Sequence, residues 1–298
     1  MSFDNVNLVD VKPRKNQYVF LTVVVCTAII HPTVMGYDSM MIGSILNLPL
    51  YTTYFDLTPV TIGLNTASMW MGQIITCLVI NCYFTDKWGR RPTILVGLLL
   101  TIVGVALQTA AQNIGMFVVA RIILGGGCSA CLVAASALVT ELAPIKKRGL
   151  LSGLCFTCFG FGGIIASVVT FGSRNVPGTW SWRIPSLVQG SFSLFAATSL
   201  IFTPESPQFL LMKGKKEMAV EILASCQNVS PEAADALADE YLIEIEENFN
   251  NGAHKGFPWL QFFKGKANRR RLVIFFSQAV ITELAGSSVG SYFFFFIT

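Results

Sequence analysis

Two charged residues lie where the surrounding sequence is apolar: Asp38 in VMGYDSMMIGSIL and Arg121 in FVVARIILGGG. Charges at membrane depth are expensive and face a cavity or a partner. An Asp opposite an Arg across a helix bundle satisfies both. Two chemistries are then open: a static ion pair tying two helices, or a proton site whose affinity changes with conformation.

A second group of charges, TDKWGRRP at 85–92, interrupts two apolar runs. It is too short to do more than reverse the chain. Arg90 and Arg91 resist translocation, and Gly89 permits a tight reversal. Pro92 suits the first turn of the following helix, where its missing N–H is not needed. Asp86 closes the preceding span with a carboxylate free to accept from a neighbouring Arg or helix N-terminus.

Other residue types point away from chemistry. The cysteine pairs Cys128/Cys131 and Cys155/Cys158 have zinc-like spacing but lie inside apolar runs without a nearby His or carboxylate. Structural zinc sites sit on turns that aim thiolates at the metal, so packing is expected and no metal. The GGG at 125–127 lacks phosphate-loop spacing. Like Gly160, Gly162 and Gly163, it suits close helix approach in a membrane. Of the two histidines, His31 sits beside Pro32 in a span and His254 in a polar loop. His31 reads as a packed or cavity-lining residue. No nucleophile–base set is assembled, so neither an enzyme nor a cofactor is expected.

The elements that position these residues are membrane spans. The 298 residues are 53% hydrophobic and 13% charged, against about 25% charged in soluble domains. Apolar stretches of the length that crosses a bilayer recur. Seven spans are predicted, at 18–46, 61–84, 93–112, 115–139, 150–172, 183–203 and 272–298. Of the 21 Lys and Arg, 18 fall on the side of the N-terminus, two on the other side, and Arg121 within a span. That asymmetry predicts a cytoplasmic N-terminus. The basic residues are spread between spans rather than gathered on one face, which excludes a nucleic-acid surface. The polar tail 1–17 lacks the apolar core and cleavage site of a signal peptide, so the first span serves as its own insertion signal.

The long polar segment 204–271 is expected to be cytoplasmic, with short helices. One begins at Ser230, an N-cap residue followed by Pro231 and Glu232. The predicted fold is thus an all-α polytopic membrane protein: tail 1–17, six-helix bundle 18–203, cytoplasmic loop 204–271 and a seventh helix 272–298.

Six motifs in order, GYDSMMIGSI (36–45), DKWGRRP (86–92), ARIILGGG (120–127), ELAPIKKRG (141–149), WRIPSLVQG (182–190) and PESPQFL (204–210), resemble the sugar porter family of the major facilitator superfamily. Fungal-type permeases for hexoses and disaccharides are the nearest resemblance. The family implies two six-helix halves rocking around a central site, hence secondary transport of a sugar across the plasma membrane. By resemblance Asp38 and Arg121 match the proton-coupling pair of sugar/proton symporters; facilitative members tend to be neutral at the Asp38 position. Asp86, Gly89, Arg90 and Arg91 belong by resemblance to an inner-face latch with Glu141, Arg148 and Glu205. Candidate substrate contacts are Phe156 in the fifth span and Gln278, Glu283, Ser287 and Ser288 in the seventh.

Departures accompany the likeness. Phe156 stands where the family often has Asn or Gln, and its ring cannot hydrogen-bond a hydroxyl. Glu283 stands at a Gln position, and Gln208 replaces an Arg in PESPQFL. The family has twelve spans, so the chain is expected to be the front part of a transporter that lacks its second half. A uniporter for sugars or polyols and a non-transporting nutrient sensor are the alternatives. A seven-span receptor is excluded by the charge asymmetry.

Overall fold

In the computed structural model the described residues are 15–144, 148–227, 229–250 and 266–284. Among them the regular structure is helical. The membrane part consists of α1 (Lys15–Leu46), the short α2 (Pro49–Tyr54), α3 (Pro59–Thr76), α4 (Cys82–Trp88), α5 (Arg90–Thr109), α6 (Ile114–Leu142), α7 (Arg148–Ser173) and α8 (Trp180–Phe202). A single π-helical turn, Cys77–Asn81, joins α3 to α4. Then come α9 (Pro207–Met212), α10 (Lys216–Gln227), α11 (Pro231–Asn250) and α12 (Lys266–Leu284).

Five stretches among the described residues are long and apolar enough to cross a membrane: Pro59–Val79, Arg90–Thr109, Ile114–Leu142, Arg148–Ser173 and Trp180–Phe202. Their outward sides carry exposed Leu95, Leu99, Val103, Val168 and Phe171. Such a surface is stable only in hydrocarbon, where each helix satisfies its own backbone.

α6 is the central helix. It packs against α3 and α5 and also touches α1, while α1 packs along α7 and α8. In lipid no hydrophobic driving force presses helices together, so close contact needs small residues. At Gly36 of α1 a Cβ would collide with the Phe159 carbonyl of α7, and at Gly162 of α7 with the Thr33 carbonyl of α1. The same backbone-to-backbone approach joins Gly72 of α3 to α6 and Gly125 of α6 to α3.

One end of the bundle is closed by aromatic rings. Tyr51 of α2 meets Phe55, Phe117 and Trp182 at centroid distances of 5.1, 5.5 and 5.8 Å, edge-on as ring quadrupoles favour. At the other end α9, α10 and α11 share a small core of Leu210, Leu223, Leu237 and Ala238. Ser230 caps α11 as its position predicts, its Oγ accepting from the Ala233 N–H.

Candidate functional site

The approach of α1 to α7 at Gly36 and Gly162 turns the neighbouring Tyr37 and Asp38 inward, and both are fully buried. Arg121, two turns into α6, arrives opposite. Its Nη1 donates to Asp38 Oδ1 at 2.8 Å, with both side chains wholly enclosed. Such a pair persists only when each charge is compensated and hydrogen-bonded. Gln189 of α8 supplies a further donor, its Nε2 lying 3.0 Å from the same Asp38 oxygen. Asp38 Oδ2, Arg121 Nε and Nη2, and Gln189 Oε1 have no partner among the described residues. The cluster therefore ties three helices while keeping spare donors and acceptors.

The position of Gln189 depends on how α8 is held. Pro185 lies inside that helix and has no N–H, so the Ser181 carbonyl loses its intrahelical donor. Ser173 of α7 fills the gap, its Oγ donating to Ser181 O at 2.8 Å. Tyr37 OH donates to Pro185 O at 2.9 Å, and Gln108 Nε2 of α5 to Ser186 Oγ at 3.0 Å. α8 is thus fixed to α1, α5 and α7 close to Gln189. Nothing in the family's charged motifs singles out Gln189. The available signal was an amide inside a predicted span, within WRIPSLVQG.

At the opposite end of α5 a second cluster forms. Gly89 has φ +107°, and a Cβ there would press on the Glu205 carboxylate. Glu205 accepts from the backbone N–H of Arg90 at 3.1 Å and of Arg91 at 3.3 Å. These are the first free donors of α5, where the helix dipole also favours an anion. Arg90 donates through Nε and Nη2 to Glu141 Oε1 at 3.2 and 3.0 Å. The other Glu141 oxygen accepts from Ser206 Oγ, and Arg91 Nη2 reaches Ile201 O at 3.0 Å. The starts of α5 and α9 and the ends of α6 and α8 are thereby laced together.

Arg148 stands apart from this network. Its Nη2 donates to Tyr241 OH at 3.2 Å, linking α7 to α11. Gln278 lies exposed on α12. The side chains of Asp86, Phe156 and Glu283 lie outside the described residues, as do Ser287 and Ser288.

The sequence profile of the Sugar (and other) transporter family matches residues 23–295. The chain belongs to that family. It is a family of transporters rather than of enzymes, and the chain is a multi-pass membrane protein. It is 26% identical over 263 residues to the MFS-type transporter criB of Aspergillus cristatus, covering 87% of this chain and 56% of that protein. It is 30% identical over 192 residues to sugar transport protein 13 of Arabidopsis thaliana, covering 63% of this chain and 36% of that protein. The chain spans about half the length of the curated relatives it matches. The solved proton:xylose symporter XylE superposes with a TM-score of 0.70 at 22% identity, over 84% of this chain and 57% of that one. That likeness establishes the major facilitator fold.

Proposed function

We propose that the chain serves secondary active transport of a sugar, a hexose or disaccharide, by proton symport with alternating access. The enclosed Asp38–Arg121 pair carries this reading. A salt bridge whose remaining oxygen and guanidinium nitrogens have no described partner has capacity to change state. A proton on Asp38 removes one charge and weakens the tie from α1 to α6 and α8, releasing Arg121 for another partner. Proton occupancy and helix arrangement are then coupled. The similarity to a proton:xylose symporter supports the same coupling.

In this scheme Asp86, Gly89, Arg90, Arg91, Glu141, Arg148 and Glu205 bias the inner face towards one conformation. Phe156, Gln278, Glu283, Ser287 and Ser288 face the sugar, the N-terminus is cytoplasmic and the membrane is the plasma membrane. Residues 18–203 act as one rocking bundle, 204–271 as its cytoplasmic cover and 272–298 as the next span.

The test is uptake of radiolabelled sugars in a transporter-deficient host, with the chain joined to the second half of a related transporter. Accumulation against a gradient, abolished by a protonophore, is expected. Asp38→Asn should leave only downhill flux. No uptake across a broad sugar panel, or undiminished uphill accumulation in Asp38→Asn, overturns the proposal.

A further inference from the structure

α3 meets α6 along one face: Met69 lies against Gly125, Gly72 against Ile122 and Thr76 against Gly126. Beyond Thr76 the chain makes the π-helical turn Cys77–Asn81, whose Leu78 and Val79 are exposed. Asn81 then returns to α6, its Nδ2 donating to Ser129 Oγ at 3.5 Å, and Thr85 is again buried. The nine residues from Thr76 to Thr85 make about two and a half turns of an α-helix, so an unbroken α-helix would set the two on opposite sides. A π turn holds about one residue more and shifts the phase of everything after it by about 100°. That shift brings Asn81 to Ser129.

The same shift sets the phase of the inner-face cluster. The Gly89 N–H donates to Thr85 O at 3.2 Å, and Thr93 Oγ1 to Gly89 O at 2.8 Å. α4 therefore hands its orientation directly to the residues that hold Glu205. This inward register is weakly held. The Asn81–Ser129 bond is longer than the usual range. Asn81 Oδ1 and Thr85 Oγ1 are buried without a partner among the described residues, and each such group is costly. An unbroken α-helix would instead bring position 80, isoleucine in the sequence, to that face. Single π turns inside α-helices are frequent at functional sites. We propose that this turn converts between π and α forms, and that Asn81 is a positioning residue for the latch. In the π form Gly89 is aimed at Glu205. In the α form segment 81–89 is rotated by about 100° and Glu205 is released, while α3 up to Thr76 stays fixed by its glycine contacts. A part in transport rests on the proposed function; the coupling of turn to latch does not.

Deletion of Val79 tests the coupling, because one residue fewer lets an unbroken α-helix keep Asn81 and Thr85 in their present phase. In the 298-residue chain in nanodiscs, hydrogen exchange at the Arg90 and Arg91 amides should slow about tenfold, since one route of local opening is closed. Val79 is exposed and outside the latch, so a merely structural role predicts no such slowing. Ser129→Ala removes the acceptor on α6 and should speed the same amides about threefold, near the lower end of one net hydrogen bond. Exchange in α8 should not change in either variant, which separates latch opening from overall stability. Joined to the second half of a related transporter, the Val79 deletion should lower maximal sugar uptake per transporter about tenfold, with the half-saturating sugar concentration unchanged. Unchanged or faster exchange at Arg90 and Arg91 in the deletion, no change in Ser129→Ala, or undiminished uptake in the deletion overturns the proposal. If the deletion does not fold, Ser129→Ala decides alone. No uptake by the unaltered fusion would overturn the transport reading and leave the exchange measurements to decide the coupling.

Discussion

Gln189 and Arg121 donate to the same oxygen of Asp38, from α8 at 3.0 Å and from α6 at 2.8 Å. Gln189→Leu removes one hydrogen bond to a charged group, worth about 1.5–3 kcal/mol. Gln189→Glu sets a second carboxylate against Asp38 and should cost more. Thermal unfolding in detergent should rank wild type above Gln189→Leu above Gln189→Glu. A neutral Gln189→Leu would mean that the amide does not stabilise the cluster.

The crossing of α1 and α7 depends on hydrogen side chains at two positions. Gly36→Val and Gly162→Val each force a side chain into the facing backbone, so the helices must separate. Loss of monodisperse protein in size-exclusion chromatography is expected. Gly160→Ala, where nothing lies within 4 Å of the added Cβ, should be tolerated and gain up to about 1 kcal/mol from helix propensity. A tolerated Gly36→Val would show that the close approach is not required.

Glu205 holds the first N–H groups of α5. Glu205→Ala leaves the Arg90 and Arg91 amides without their acceptor, and hydrogen exchange at those two positions should accelerate about 5- to 30-fold, as one or two kcal/mol implies. Exchange along the buried middle of α6 should be unchanged. Uniform acceleration throughout the bundle would instead identify Glu205 as a general stability residue.

Lys216 of α10 reaches Asp239 and Asp235 of α11 at 2.6 and 3.0 Å. The hydrogen bond from Asp239, then that from Asp235, pushes its ammonium above the ordinary value of 10.5. Because the folded value is the higher one, this contribution is complete below pH 10.5 and is lost as pH rises through the folded value. The pair is partly exposed, so the effect is small and weakened by salt. Protection of α10 and α11 from exchange should fall above pH 10.5 in wild type but not in Lys216→Met. Parallel pH profiles for the two proteins would remove the pair from the account.

Much of this fold is legible in local sequence because the constraint acting on it is local. A helix in lipid must satisfy its own backbone, so span length and apolar content show directly in Ile114–Leu142 and Arg90–Thr109. Ser230 followed by Pro231 likewise marks the start of α11 without reference to any other segment. Asp38 and Arg121 were conspicuous for the same reason: a charge in an apolar run must find a partner, and each had few candidates.

What tertiary structure alone decided is which neighbours those residues meet. Gln189 enters the Asp38 cluster because α8, with its helix-internal Pro185, is pinned by Tyr37, Gln108 and Ser173 from three other helices. Arg148, which by its motif belongs with Glu141 and Glu205, turns to Tyr241 because α11 lies over the start of α7. Glu205 serves as an N-terminal cap for α5 although 115 residues separate it from Arg90. Sequence spacing measures distance along the chain, whereas these contacts depend on how whole helices cross. The crossings are set by glycine contacts such as Gly36 against Phe159, whose partners no local pattern names.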